Sequence, residues 1–360
     1  MAGRPGALAL GLAAGIALGA QELEPGPSPT REMFPLFLTT MVYQPVDPSP
    51  LGRGRWRADL DHMRANTFEF SDVFKGAPPG TASGRITVTR EFAEATAAAH
   101  AGLPVLFYFD EEVLRTSLKV RAGLSERTEV WAELPFISQG GGGLDSAIEG
   151  FHSLGFKQFG RDRVRKDQLT VAVMAYGRLQ FYSDRPMRAR VQDPTFGLMH
   201  RFLARPGLDL SLYAAVKPPL TTLYGVYRSG WDHGLGLTAR WRAAPHHVLY
   251  GGVGVIRRPR GTLAFTTLPF GRMAGGWGGH ATWEYRRWKR LRPFVQLYAQ
   301  SGFLPEQPSQ NLHRPSLQHD VGCRWLLRGN AALTFRYLNN ITHNENTADM
   351  GLGLSLTAAF

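Results

Sequence analysis

The sequence predicts an all-β chain that closes into an antiparallel transmembrane β-barrel of about twelve strands in the bacterial outer membrane. Three observations predict it. An export signal is followed by no membrane helix, short and long connections alternate along the chain, and an alternate-residue apolar pattern runs to the final phenylalanine.

The export signal comes first. Arg4 precedes an unbroken run of Ala, Leu, Ile and Gly from Ala7 to Leu18, and Leu18-Gly19-Ala20 offers small residues before Gln21-Glu22. This is the layout of a secretory signal peptide over 1–20, with an apolar run too short to span a bilayer. It implies Sec export in a Gram-negative cell. No Cys stands directly after the cleavage point, which argues against a lipid anchor. Beyond it, no stretch approaches the ~18 consecutive apolar residues of a membrane helix. An exported chain of this kind is either soluble or a membrane barrel. The 41 Gly and 24 Pro favour strands and turns over helices. Cys323 is the single cysteine, so no intramolecular disulfide can form. The formal charge of +12 falls to +11 once Arg4 is removed. Export makes nucleic acid an unsuitable partner for that charge, whereas lipopolysaccharide or an anionic solute fits it.

Residues 21–53, rich in proline, are expected to form a periplasmic segment of little regular structure, with part of it free to enter the barrel. The barrel itself occupies 54–360. Period-two alternation marks strands at 54–65, 112–123, 128–138, 194–204, 208–217, 234–243, 247–256, 274–288, 292–303, 317–327, 331–341 and 348–360. Each is near the ~10 residues that a tilted membrane strand needs. In the second, Leu114, Thr116, Leu118, Val120 and Ala122 share one face, and Arg115, Ser117, Lys119 and Arg121 share the other. In the third, Val130, Ala132, Leu134 and Phe136 oppose Glu129 and Glu133. In the eleventh, Ala331, Leu333, Phe335 and Tyr337 oppose Thr334 and Arg336. Such strands set one face against lipid or a core and the other against water.

The connections carry the strongest signal. Ser125–Arg127, Arg205–Gly207, Ala244–His246, Lys289–Leu291 and Arg328–Asn330 are tight turns, whereas 66–111, 139–193, 218–233, 257–273, 304–316 and 342–347 are mostly longer. Short periplasmic turns alternating with long extracellular loops are the pattern of an outer-membrane barrel. Trp56, Trp131, Trp241, Trp288 and Trp325 lie near the expected periplasmic ends, where an aromatic belt sits. Parity turns Trp56, Trp241 and Trp325 toward lipid, but not Trp131 or Trp288. At the C-terminus Leu352, Leu354, Leu356 and Ala358 alternate up to Phe360. That ending resembles the signal read by the barrel-assembly machinery of Gram-negative bacteria. Closure is obligatory, because backbone groups on an open edge would meet hydrocarbon unpaired.

The segment from Val130 to Asp162 adds a resemblance. Glu133-Leu-Pro-Phe136, Gly141-Gly-Gly-Leu-Asp145, Ile148-Glu-Gly-Phe-His152 and Gly160-Arg-Asp162 resemble a family of uncharacterised bacterial proteins. The family is known as a domain of unknown function and is expected to form outer-membrane barrels. The resemblance implies the location, and no catalytic or binding residue comes with it.

Two groups of residues are candidates for function. In the 139–193 connection, Leu144 to Leu154 has helical spacing, with Leu144, Ile148 and Phe151 on one stripe and Asp145, Glu149 and His152 beside it. Arg161, Asp162, Arg163, Arg165 and Lys166 follow. A helix folded over or into the mouth is expected, its acids paired with those basic residues, holding a cation, or simply solvated. Glu149 and His152 are two potential metal ligands where three or more are needed, so no metal or cofactor is expected. The second group faces the lumen by parity: Arg55, Arg57, Asp59, Asp61, Arg115, Lys119, Arg121, Glu129, Glu133, Arg240, Arg242 and Arg336. It reads either as a constriction that favours anions or as a salt-bridge network filling a narrow barrel.

Enzymatic barrels set a stricter test. No His-x-Ser of the outer-membrane phospholipase kind occurs, and Asp59-Leu-Asp61 has omptin-like acid spacing but sits near the periplasmic end. His319-Asp320 offers no matching geometry. The sequence thus leads to a passive or porin-like conduit for a small, anionic solute. The alternatives are a non-conducting barrel with a loop-binding or structural role, and an outer-membrane hydrolase.

Overall fold

The computed structural model describes residues 23–76, 87–152, 164–259, 261–263, 275–303, 312–327, 330–342 and 346–360. The expected signal peptide lies outside them, as do Arg161 and Asp162, the turn residues 328–329 and parts of five of the longer connections.

Twelve strands form the wall. They are β1 (Trp56–Phe70), β2 (Leu106–Gly123), β3 (Thr128–Gly140), β4 (Thr195–Arg205), β5 (Leu208–Lys217) and β6 (Asp232–Ala244), followed by β7 (His247–Arg257), β8 (Gly276–Tyr285), β9 (Leu291–Gln300), β10 (Ser316–Leu326), β11 (Ala331–Asn340) and β12 (Met350–Ala359). Each pairs antiparallel with the next. β12 pairs back onto β1, and the Trp56 and Phe360 amides each donate to the other's carbonyl, at 2.8 and 2.9 Å. The sheet therefore has no open edge in the wall.

The outer surface follows from the alternation. Leu60, Leu118, Leu198, Leu212, Val253, Val295, Phe335 and Leu354 all stand exposed on the outside, as do Leu352, Leu356 and Phe360. Large apolar side chains exposed all around a barrel suit only a hydrocarbon surround. Trp56, Trp241 and Trp325 are exposed at the short-turn end, and Trp231 and Trp277 at the long-loop end. Trp131 is turned inward and is 5% exposed, as its parity requires.

Two parts of the wall exceed the sequence expectation. β1 runs on to Phe70 and β2 starts at Leu106, both inside the expected 66–111 loop. The upper part of β2 pairs with a strand at Thr170–Ala175, which pairs in turn with Arg178–Ser183. Both faces of this extension are covered, so its residues are apolar or packed on either side and period two disappears. A short strand at Met187–Val191 also pairs with the top of β3. Helix α1 (Pro35–Leu38) lies inside the barrel and α2 (Arg90–Ala99) lies at the loop end. Thr89 caps α2 by accepting from the Phe92 amide at 3.2 Å, and Ala93 and Ala97 pack with Phe68, Phe74 and Tyr108. Helix α3 (Asp145–His152) falls where the sequence placed one.

The placement of Leu354 sets a test. Replacing it with Arg puts a cation at mid-strand on the hydrocarbon face and should cost about 2–4 kcal/mol, read from denaturant unfolding in lipid vesicles. An unchanged midpoint would refute the outward assignment.

Candidate functional site: the plugged lumen

The N-terminal segment occupies the lumen, where a periplasmic position had been expected for most of it. Residues 23–53 rise from the short-turn end, turn at α1 near the loop end, and descend to β1. Proline at 25, 27 and 29 keeps the rising leg extended and withholds its N–H groups. Such a chain cannot join the sheet as a strand, but its carbonyls still need donors. The wall supplies them. Arg57 donates to the Glu24 and Pro25 carbonyls at 3.1 and 2.9 Å, and Gln296 both donates to Ser28 O and accepts from its amide. On the descending leg Lys217 donates to Thr40 O, Tyr298 to Tyr43 O and Thr238 to Val46 O, at 3.0, 2.8 and 2.7 Å. The Met41 amide donates to Asp232 at 2.6 Å.

Chemistry divides the lumen in two. Near the loop end Met33, Phe34, Phe37 and Leu38 are buried against Phe107, Phe109, Phe303 and Leu312. Phe34 and Phe37 meet Phe109 and Phe303 edge-on at 5.4 and 5.3 Å. Near the short-turn end the hairpin presents two carboxylates. Glu24 lies 2.6 Å from Arg286, 3.9 Å from Arg292 and 3.8 Å from Arg242, while Asp47 lies 3.8 Å from both Arg57 and Arg121. Burial alone would raise the Glu24 carboxyl, but Arg286 and Arg292 outweigh it and hold it below its usual range. At Asp47 burial outweighs Arg121 and Arg57, and the carboxyl is held above it.

Most of the expected lumen residues are where parity put them, and they are paired. Arg57 meets Asp59 at 2.8 Å, Arg121 meets Glu129 at 2.7 Å, and Arg336 meets Asp61 at 2.6 Å. Arg115 bonds Glu133, and Arg240 bonds Asp209. Lys119 rests over the Trp131 ring at 4.2 Å. Arg55 is a correction. It precedes β1 and is exposed, because Gly52 and Gly54 adopt positive φ in a turn that interrupts the parity. Arg242 stands at the rim, its side chain 54% exposed. Asp209, Lys217, Glu284, Arg286, Arg292, Asp320 and Arg324 were missed. In β9 and β10 the signal existed: Arg292, Gln296 and Gln300 alternate with outward Val295 and Leu297. Among the described residues, a cavity of about 80 Å³ lies beside the hairpin, bordered by Pro25, Pro27, Arg57, Asp59, Arg115 and Lys119.

The loop helix keeps one of the pairings expected of it and adds ties to the wall. Asp145 accepts from Asn66 at 3.0 Å and from the Asp167 amide at 2.7 Å, tying α3 to β1 at the mouth. Glu149 pairs with Lys166 at 2.6 Å. The His152 side chain lies outside the described residues. None of the described residues of α3 borders the cavity, and the plug comes from the N-terminus.

The model of DUF3187, a protein family of unknown function, matches residues 73–360. The chain belongs to this family. The match covers the DUF3187 barrel from β2 onward and leaves the lumen hairpin outside. No curated protein matches the sequence. Among solved structures, the chain is similar to an outer membrane channel from Pseudomonas putida F1. The two share 12% identity and a TM-score of 0.53, over 88% of this chain and 100% of that one. Lesser likenesses are the NanC porin (8% identity, 69% and 93% covered, TM-score 0.40) and the translocator domain of the autotransporter NalP from Neisseria meningitidis (10%, 86% and 89%, 0.41). At these identities the likeness to the DUF3187 chain is one of fold.

Glu32 makes the docking of the hairpin testable. It accepts from the Phe34 amide at 2.9 Å, Thr347 at 3.0 Å, Ser316 at 3.1 Å and Gln318, all uncharged groups, and burial pushes its carboxyl up to about 7. In the free segment it titrates near its usual 4.5. Docking therefore takes up a proton between those values, is favoured fully below the lower one, and weakens as pH rises through the upper. Hydrogen exchange of residues 33–42, corrected for intrinsic rates, should lose roughly tenfold or more protection from pH 5 to 8. Glu32→Gln should flatten that dependence; an equal slope in the variant would contradict the assignment.

Proposed function

We propose that the protein is an outer-membrane conduit for a small anionic solute, held closed by its own N-terminal hairpin. The observation that carries this reading is the arginine cluster at the short-turn end. Arg57, Arg121, Arg240, Arg242, Arg286, Arg292 and Arg324 come from β1, β2, β6, β9, β10 and the end of β8, against Asp59, Glu129, Asp209 and Glu284 on the same wall. The hairpin adds Glu24 and Asp47 to this cluster. Withdrawing it removes two anions and leaves a wall with surplus guanidinium groups, which suit carboxylate or phosphate. On this reading the short-turn end faces the periplasm, lipopolysaccharide of the outer leaflet contacts the wall, and the β12 ending serves the barrel-assembly machinery.

A hydrolytic role draws little support from the acids once singled out. Asp59 is engaged by Arg57 and Thr357, and Asp61 by Arg336 and Ser355. His319 and Asp320 are neighbours on a strand and so face opposite sides of the wall. A second reading, a permanently sealed barrel with a structural or loop-binding role, draws on the dry packing around Phe34 and Phe37.

Planar-bilayer recording separates the two. The full chain should conduct rarely, and a barrel lacking residues 24–50 should conduct steadily with a reversal potential on the anion side. A deletion barrel that folds, shown by heat-modifiable mobility, yet conducts nothing or prefers cations would end the anion-conduit proposal.

A further inference from the structure

We infer that the inner wall of β6, β7 and β8 is a station for a hydroxylated aromatic carboxylate, with Tyr43 its resident occupant; this rests on the conduit reading and names its solute class. Gly234, Gly252, Gly254 and Gly278 lie on those three strands. None has positive φ, so ordinary strand geometry would accept a side chain at each. Glycine inside a strand weakens it, and often marks a close approach by a ligand or another chain.

Here the approach is by a ring. A Cβ at Gly278 would lie 2.3, 2.6 and 3.2 Å from Cβ, Cγ and Cδ1 of Tyr43, its three nearest neighbours. A Cβ at Gly252 would lie 2.6 Å from the Tyr43 hydroxyl, one at Gly254 2.8 Å from the Tyr213 hydroxyl and 3.1 Å from Tyr43 Cδ2, and one at Gly234 3.0 Å from Met41 Sδ. The wall is bare where the hairpin lays its phenol, and the missing side chains serve the occupant.

The polar groups point the same way. The Tyr43 hydroxyl hydrogen-bonds His280 Nδ1 at 2.8 Å, and Tyr298 lies 6.0 Å from the Tyr43 ring. His280 Nε2 and Trp131 Nε1 are buried without a hydrogen-bond partner, on side chains 7% and 5% exposed. Trp131 borders a small void of about 20 Å³ beside Tyr43, Tyr213, Gly234 and Gly254. With the hairpin withdrawn, the slot keeps a flat floor, aromatic sides and a histidine placed for a hydroxyl. Asp47 follows Tyr43 by four residues, at most ~14 Å along an extended chain. The ring and the acid of the hairpin thus mark two successive stations, the slot and the arginine cluster below it. A solute carrying both groups would be handed from one to the other.

The test uses the barrel lacking residues 24–50 and three probes: 4-hydroxyphenylacetate, acetate and glucuronate. Calorimetry in detergent and current block in bilayers are read side by side. The phenolic acid should bind about tenfold more tightly than either other probe, the amount one good ring contact supplies. Gly278→Val should reduce it to the acetate level while anion selectivity stays. His280→Phe should erase the preference for 4-hydroxyphenylacetate over phenylacetate, a second readout that survives should the valine variant misfold. Equal affinities, a preference for glucuronate, or a phenolic preference untouched by both substitutions would overturn the station. A deletion barrel that does not conduct would instead defeat the conduit reading, and calorimetry would still report on the slot.

Discussion

A closed sheet satisfies its own backbone and leaves its two faces to find their surroundings. Outside, hydrocarbon accepts Leu, Val and Phe without further arrangement. Inside, charged and amide side chains from the strands face one another, and a buried polar group without a partner is costly. Wall pairs such as Arg121 with Glu129 meet part of that need. The hairpin meets much of the rest, and does so because proline keeps it from adding to the sheet. Its carbonyls stay available, and Arg57, Lys217, Thr238 and Tyr298 take them up. The plug is held mainly through its main chain and two acids in the lower lumen, and through apolar side chains in the upper.

That division has energetic meaning. Fully burying a side chain such as Phe34 or Phe37 contributes about 1.5–3 kcal/mol. The tip is therefore the anchor, and the polar legs exchange hydrogen bonds with the wall for hydrogen bonds with water at little net difference. The acids sit where their loss is best compensated, among arginines that solvent and mobile anions would readily screen.

The wall was legible because alternation is imposed by the two solvents it separates. Leu118 and Lys119 are neighbours with opposite surroundings, and that contrast is visible in the sequence. It vanishes where both faces are covered, which is why the extension of β1 and β2 around Phe68 and Phe109 reads as a loop. Lumen pairs such as Arg115 and Glu133 follow from the same parity, and Arg55 fails it because a glycine turn resets the count. The hairpin was not legible at all in this way. A proline-rich stretch carries no period, and its partners are remote: Ser28 bonds Asp320 across 292 positions of sequence. The glycines of β6 to β8 were visible as residues, but only the ring laid over them gives them a purpose.

Both legs of the hairpin leave the barrel through the same opening. Nothing has to be threaded from one rim to the other, so the wall can finish forming around a water-filled interior and receive its stopper afterwards. The order of events in biogenesis is then uncoupled from the sealing step.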